Sequence, residues 1–257
     1  MQFHHSPLVY VSLPLEQECW RWLSELAQLT GHNFGREATT KVFRSPRRTA
    51  PGQPRFAVAT LYTPDYAQLG KRTSKALCAY ARQQGYDAIV ATGSLDATRP
   101  PAWSKLLLVE RYLAANPACT WLLWIDSDAV IANPKKRLED LVDEDIDFLA
   151  AEDHSACVIN SGVFLVRNCS AALDMLRRAY AKVQYIHHPW WEQLALAEAL
   201  REGGDTLRSR VVRRRLFNAL PDEYRKGDFI VHYAGYSLAE KLAGVKRILA
   251  HAAKNGQ

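Results

Sequence analysis

Trp121-Leu122-Leu123-Trp124-Ile125-Asp126-Ser127-Asp128-Ala129-Val130-Ile131 is the stretch on which the fold turns. Its first five residues are apolar without polar alternation, which reads as a strand buried on both faces, the usual state of a central strand in an α/β sheet. The strand ends in two carboxylates one residue apart. An ionised pair at such a tip repels and loses solvation, and a divalent cation shared with an anionic ligand removes both penalties. The competing reading makes Asp128 a helix N-cap ahead of the Asn133-Pro134 turn, but a cap does not call for the second Asp.

Upstream, residues 56–62 (Phe-Ala-Val-Ala-Thr-Leu-Tyr) read as a strand, 66–84 as a helix, 87–91 as a strand and 101–115 as a helix leading into the Asp126 strand. This alternation argues for an α/β fold with a parallel sheet and helices on both faces. Ligands in such sheets lie beyond the carboxyl ends of the strands, where Tyr62 and Asp126 fall. Downstream, 147–151 and 158–166 read as strands, and 170–185 and 191–201 as helices. Gly162, inside the second of these strands, either lets a ligand approach or marks a bulge. The apolar run Phe229-Ile230-Val231 ends at His232, followed by Tyr233-Ala234-Gly235. His232 is a candidate third metal ligand or a hydrogen-bonded structural residue, and Gly235 would let backbone amides approach a phosphate.

With 257 residues and 48% hydrophobic content, the chain can bury a full core. We divide it into a domain at 56–257 and an N-terminal extension and linker at 1–55 packed on it. Residues 16–29 have helical spacing through Trp20, Leu23, Leu26 and Ala27. Residues 31–55 are polar and basic, with Pro46, Pro51 and Pro54, and read as a linker or long loop. The formal charge of +6 favours anionic partners. The one local basic cluster, Arg208, Arg210, Arg213, Arg214 and Arg215, reads as a solvated strand edge or helix face, so no nucleic-acid partner is expected. Five cysteines without C-x-x-C spacing suit reduced thiols in a cytoplasmic compartment. Asn168-Cys169-Ser170 has the look of a glycosylation acceptor, yet no signal peptide or transmembrane segment is evident.

Taken in order, Trp103-Ser104-Lys105-Leu106, Trp124-Ile125-Asp126-Ser127-Asp128-Ala129, Asn160-Ser161-Gly162, Trp191-Glu192-Gln193 and His232-Tyr233-Ala234-Gly235 resemble the galactosyl/xylosyl/mannosyltransferase family. That family includes fungal Golgi enzymes and plant xyloglucan xylosyltransferases, and the likeness runs from about Phe56 to about Gly235. It implies a GT-A fold, with a mixed, mostly parallel central sheet flanked by helices and a Rossmann-like nucleotide-binding half. It also implies a UDP- or GDP-linked sugar donor, a carbohydrate or other hydroxyl acceptor, Mn²⁺ and retention of anomeric configuration. By motif position, Asp126, Asp128 and His232 would hold the cation, Asp128 most directly. Oxygen ligands with one imidazole suit Mn²⁺, with Mg²⁺ as the second reading. Thr60, Tyr62, Lys105 and Ser127 would lie near the donor, Gly235 and Lys241 near its diphosphate, and Asn160 and Gln193 at the reacting sugar.

The chemistry the resemblance implies follows from charge. A cation on the departing nucleoside diphosphate acts as a Lewis acid, assisted by Lys105 or Lys241. A retaining hydrolase places a carboxylate beneath the oxocarbenium-like sugar. Here Gln193 would occupy that face, so the acceptor hydroxyl attacks from the front. Family members often carry Asp before this Gln, and the tryptophan context differs, so Glu192 would orient Gln193 or take a larger catalytic part. Trp190 and Trp191 would stack on acceptor sugars or simply start a buried helix. Two other functions fit parts of the pattern: a haloacid-dehalogenase-type phosphatase with Asp126 as nucleophile, and a catalytically inactive glycan- or nucleotide-binding module. Against the phosphatase, two βα units precede the acidic doublet.

Overall fold

The computed structural model describes residues 39–45, 54–153 and 159–255. The helix expected at 16–29, the rest of the extension before Thr39, Cys19 and Cys157 lie outside them. The described residues fall in one compact unit, Arg36–Gln257. They form β1 (Thr39–Phe43), β2 (Phe56–Tyr62), α1 (Ala67–Gln84), β3 (Asp87–Thr92), α2 (Ser104–Ala115), β4 (Trp121–Ile125), β5 (Ala129–Ile131), β6 (Phe148–Glu152), β7 (Ile159–Arg167), α3 (Ser170–Ala181), α4 (Trp191–Gly203), β8 (Ser209–Val212), β9 (Ile230–His232) and α5 (Leu238–Asn255).

Among the described residues, seven strands make one sheet in the order β1-β3-β2-β4-β7-β6-β8, and β5 and β9 make a separate pair. The pairings set β3, β2, β4, β6 and β8 in one direction, with β1 and β7 reversed. The sheet is therefore mixed and mostly parallel, as expected. Central β4 decides the packing. Leu122 and Trp124 enter a cluster with Trp103, Leu106 and Val109 at α2, Met175 of α3 and Leu196 of α4. Leu123 and Ile125 enter another with Leu77 and Tyr80 of α1 and with Phe229. Both faces are covered, which is what an unbroken apolar run requires.

Several elements depart from the sequence reading. The stretch read as a linker or loop at 31–55 contributes β1, antiparallel to β3; its five residues are all exposed, so no apolar alternation marked it. The helix expected at 170–185 ends at Ala181, and a 3₁₀ turn follows at Val183–Tyr185. Ala129–Ile131, which directly follows the acidic doublet, is a strand, which removes the N-cap reading of Asp128. Helix α5 was not anticipated. Its start carries a capping box in which Ser237 N–H and Oγ both donate to Glu240 Oε2, at 2.8 and 2.6 Å.

The basic cluster resolves as a strand edge. Arg208 and Arg210, at and within β8, pair with Asp147 and Asp143, while Arg214 and Arg215 pair with Glu223 and Asp228. Asn168 is a joint: its Nδ2 donates to the carbonyls of Leu113, Asn116 and Cys119 at 3.0, 3.2 and 2.9 Å. Cys78, Cys119 and Cys169 are free thiols, and burial pushes Cys119 up to about 12. Among the described residues no helix is long and apolar enough to cross a membrane.

Helix α1 meets β2 at Gly70, where a Cβ would lie 2.1 Å from Tyr62 Cγ and 2.5 Å from its Cβ. Alanine gains about 1 kcal/mol in helix propensity. Overlap with the root of a ring is not relieved by rotating a flexible end, and overpacking of this kind costs about 1–3 kcal/mol. Gly70→Ala is therefore expected to lower the urea midpoint at unchanged m value; a higher midpoint would show that Tyr62 is not seated against α1.

Candidate active site

Two strand pairings assemble the site. β7 runs against β4 with Val163 opposite Ile125, and the ladder continues as Asp126 N–H donates to Gly162 O at 2.8 Å. Asn160, Ser161 and Gly162 are thereby set beside the acidic doublet. β5 pairs with β9, Ala129 opposite His232, and Tyr233 N–H donates to Asp128 O at 3.0 Å. This second pairing carries a histidine from near the end of the chain to Asp128. Asp126, Asp128 and His232 each offer one ligand atom, all within 4.8 Å of one another.

The hydrogen-bond network fixes a proton on Nδ1 of His232. Asn160 Oδ1 accepts from Gly162 N–H at 3.0 Å, and a backbone donor leaves no choice about that amide's orientation. The same oxygen accepts from Asn218 Nδ2 at 3.0 Å, so Asn218 turns its Oδ1 to His232 Nδ1, also at 3.0 Å. His232 Nδ1 then carries a proton, and Nε2 is the nitrogen that faces Asp128, 3.3 Å from its Oδ1. A held Nδ1–H is the usual support for a metal-binding Nε2, and the carboxylate beside it offers an oxygen ligand. The close approach permitted by Gly162 is that of this imidazole, since a Cβ there would lie 2.0 Å from His232 Cε1. The strand register between β6 and β7 shifts at the same place.

Asp126 sits in a different environment from Asp128. Trp124 Nε1–H donates to Asp126 Oδ1 at 2.7 Å, and the Lys105 ammonium lies 2.9 Å from that oxygen and 3.0 Å from Oδ2. Lys105 also lies 2.9 Å from Glu192 Oε1 and donates to Ser161 O at 3.2 Å. The sequence reading puts Lys105 beside a nucleotide; the structure instead buries it beneath Asp126, between two carboxylates, because α2 covers the face on which Trp124 and Asp126 both project. Burial disfavours its charge, but Asp126 and Glu192 outweigh this and raise its pKa. Burial, with the neighbouring Asp128, lifts Asp126 above its ordinary value, against the pull of Lys105. For Asp128 burial is overcome by His232 and Lys241, which hold it well below the usual carboxylate range. Lys241 Nζ is 2.8 Å from Asp128 Oδ2 and 5.4 Å from the centre of the Tyr66 ring.

Glu192 is 4% exposed, accepts from Ser161 Oγ at 3.0 Å and grips Lys105, so it serves as a buried anchor rather than a group open to substrate. Gln193 Oε1 accepts from Ser161 N–H at 3.0 Å, and its Nε2 donates to Asp153 Oδ2 at 3.2 Å. Asn160 Nδ2 donates to the same Asp153 oxygen at 3.0 Å, so the two amides expected at the sugar share one support. Asp153 and Asn218 were missed by the sequence reading. Asp153 directly follows β6 and so carries a strand-end signal, whereas Asn218 lies in an irregular segment with none.

The remaining residues expected at the donor are spread more widely. Thr60 is buried within β2, its hydroxyl without a hydrogen-bond partner among the described residues, and Tyr62 is half-buried at the end of that strand. The Ser127 carbonyl accepts from Thr73 Oγ1 at 3.0 Å, which ties the doublet's loop to α1. Gly235 has φ +79° in the turn between β9 and α5, with open space where a Cβ would be.

Comparisons with known proteins agree with this geometry. Residues 63–145 match the model of the galactosyl transferase GMA12/MNN10 family, so the family resemblance holds over that segment. The chain is 32% identical over 144 residues to probable glycosyltransferase 2 of Oryza sativa subsp. indica, an alignment covering 51% of this chain and 30% of the rice protein. It thus spans about a third or less of the length of such curated relatives. A glycosyltransferase involved in glycosylation of the major capsid of PBCV-1 superimposes with a TM-score of 0.64 at 19% identity, covering 76% of this chain and 100% of that one. The galactosyltransferase LgtC, solved with donor and acceptor sugar analogs, gives 0.54 at 15% identity, covering 77% and 95%. The fold is the GT-A glycosyltransferase fold.

Removing the Lys105 ammonium would leave Asp126 and Glu192 facing each other without compensation. Breaking a buried ion pair from one side costs about 3–5 kcal/mol. Lys105→Met is expected to lose that much in chemical unfolding, and adding Glu192→Gln to recover part of it. A single variant as stable as the parent would show that these carboxylates do not depend on Lys105.

Proposed function

We propose that the protein is a metal-dependent, retaining glycosyltransferase that moves a sugar from a UDP- or GDP-linked donor to an acceptor hydroxyl. The observation that carries this reading is the convergence of Asp126, Asp128 and His232, whose ligand atoms lie within 4.8 Å of one another at the carboxyl end of β4, within a GT-A fold. Carboxylate oxygens with one imidazole fit Mn²⁺ better than Mg²⁺, which prefers an all-oxygen shell. Asp128 and His232 would hold the ion, with Asp126 the nearest further oxygen donor; when bound, it would supply Lewis-acid neutralisation of a departing diphosphate.

The chain's own groups do the rest. Lys241, paired with Asp128 here, supplies a second positive charge within reach of a diphosphate, and the uncovered Gly235 turn offers backbone amides to it. Asp153 holds the amides of Asn160 and Gln193 through their Nδ2 and Nε2, and the Gln193 carbonyl, which accepts from Ser161 N–H, keeps a second lone pair that would face the reacting sugar. An amide oxygen stabilises oxocarbenium charge without being a strong nucleophile, and Glu192 is committed to Lys105. That pair of facts supports front-face attack by the acceptor. The phosphatase alternative needs an Asp126 oxygen free to attack, whereas Lys105 and Trp124 hold that carboxylate. The free thiols suit a reducing, cytoplasmic setting.

A thermal-shift panel of UDP- and GDP-sugars with and without Mn²⁺ tests the reading. We expect a metal-dependent shift with at least one donor, abolished by Asp128→Ala and weakened by His232→Ala; metal-independent binding of every nucleotide would overturn it. Gln193→Ala is expected to lower the transfer rate by about 10²-fold while sparing donor affinity, since charge at the sugar develops only in the transition state. An equal loss of donor affinity would move Gln193 into donor binding.

A further inference from the structure

Helix α4 opens on two tryptophans that the core does not use. Trp190 and Trp191 are 40% and 43% exposed, whereas Trp103, Trp121 and Trp124 are no more than 2% exposed. Trp191 also has φ +37°, a left-handed conformation that is unfavourable for a residue with a side chain. Burying an indole removes a large apolar surface from water, and the fold forgoes part of that gain twice. The segment is nonetheless tied down: Trp190 N–H donates to His188 Nδ1 at 3.1 Å and Trp191 N–H to His188 O at 2.9 Å.

The position of the pair gives it meaning. The Trp190 carbonyl accepts from Gln193 N–H at 3.0 Å, so the turn that presents the indoles also sets Glu192 against Lys105 and Gln193 against Ser161 and Asp153. Residues 183–191 contain no Lys, Arg, Asp or Glu, so the segment leading into the site is aromatic and poor in charge.

We propose that Trp190 and Trp191 form an aromatic platform that stacks on the apolar face of a pyranose ring, seating a saccharide acceptor beside Gln193. This deepens the glycosyltransferase reading and rests on it. An indole face carries the negative lobe of its quadrupole and meets the C–H face of a sugar, leaving the equatorial hydroxyls free for hydrogen bonds at the rim. An anionic acceptor would call for arginine or lysine in this segment, and it has neither. The left-handed Trp191 is then a functional constraint: it holds one indole outward while the next residue turns inward to Lys105.

The test is a fluorescence and calorimetric titration of the full chain, with UDP and Mn²⁺ present, against pentasaccharides of β-linked glucose and of β-linked mannose. A serine-containing pentapeptide serves as a non-sugar hydroxyl. We expect at least one saccharide to bind, Trp190→Ala and Trp191→Ala to weaken it at least tenfold, and Trp191→Phe to stay within about threefold of the parent. Trp191→Gly, which relieves the backbone, should melt no lower than the parent yet bind the saccharide as poorly as Trp191→Ala. Failure of both saccharides to bind, binding that both alanine variants retain, preference for the peptide, or a parent dimer that Trp190→Ala dissolves would each overturn the platform. Nucleotide shifts on the same samples separate the two readings. Nucleotide binding without saccharide binding sinks the platform alone, and tryptophan-dependent saccharide binding without nucleotide binding sinks the donor reading alone.

Discussion

The site depends on one buried charge. The Lys105 ammonium, 2% exposed, sits within 3 Å of carboxylates from β4 and α4, two elements brought together only by the tertiary fold. A lone ammonium at that depth would be strongly disfavoured, and so would either carboxylate. Together they form a lock that is favourable only when α2, β4, β7 and α4 are all in register, since the Ser161 carbonyl of β7 supplies a further contact. The arrangement therefore converts electrostatics into positional precision for the residues that follow Asp126 and Glu192, namely Asp128 and Gln193.

That lock explains why the two aspartates of one short motif differ. Asp126 shares a sheet face with Trp124 and is covered by α2, so its oxygens are satisfied from within the protein. Asp128 lies two residues on, past the end of β4, where the chain has turned toward β5. There it meets the β9 imidazole and the α5 ammonium instead. One acid fixes the strand tip, and the other stands against an imidazole and an ammonium from later elements. A single intervening residue is what the turn from one strand to the next needs.

Much of this was legible in the sequence, and the gaps have physical causes. β4 was readable because burial on both faces leaves an unbroken apolar run, and α1 and α2 because their amphipathic spacing is regular. The convergence of His232 on Asp128 was readable through motif order, although the β5–β9 pairing that achieves it was not: three-residue strands carry too little periodicity to stand out. β1 escaped notice because all five of its residues face solvent. The burial of Lys105 was not legible, for a subtler reason. Sequence identifies a cation near an acidic motif, but whether it faces the ligand or the core depends on which side of the strand the helix packs.

Asn218 shows where reading by motif runs out altogether. It belongs to no periodic element, yet the chain from Gly162 N–H through Asn160 and Asn218 to His232 places a proton on Nδ1 of the imidazole and turns Nε2 to Asp128. The glycine at the origin of that chain also makes room for the ring it orients. Steric access and the Nδ1 proton are thus set by the same backbone irregularity in β7, and a side chain at position 162 would disturb both at once. A binding nitrogen in the wrong protonation state is useless even if correctly placed, so the two controls have to travel together. Placing them in one short segment is how the fold keeps them coupled.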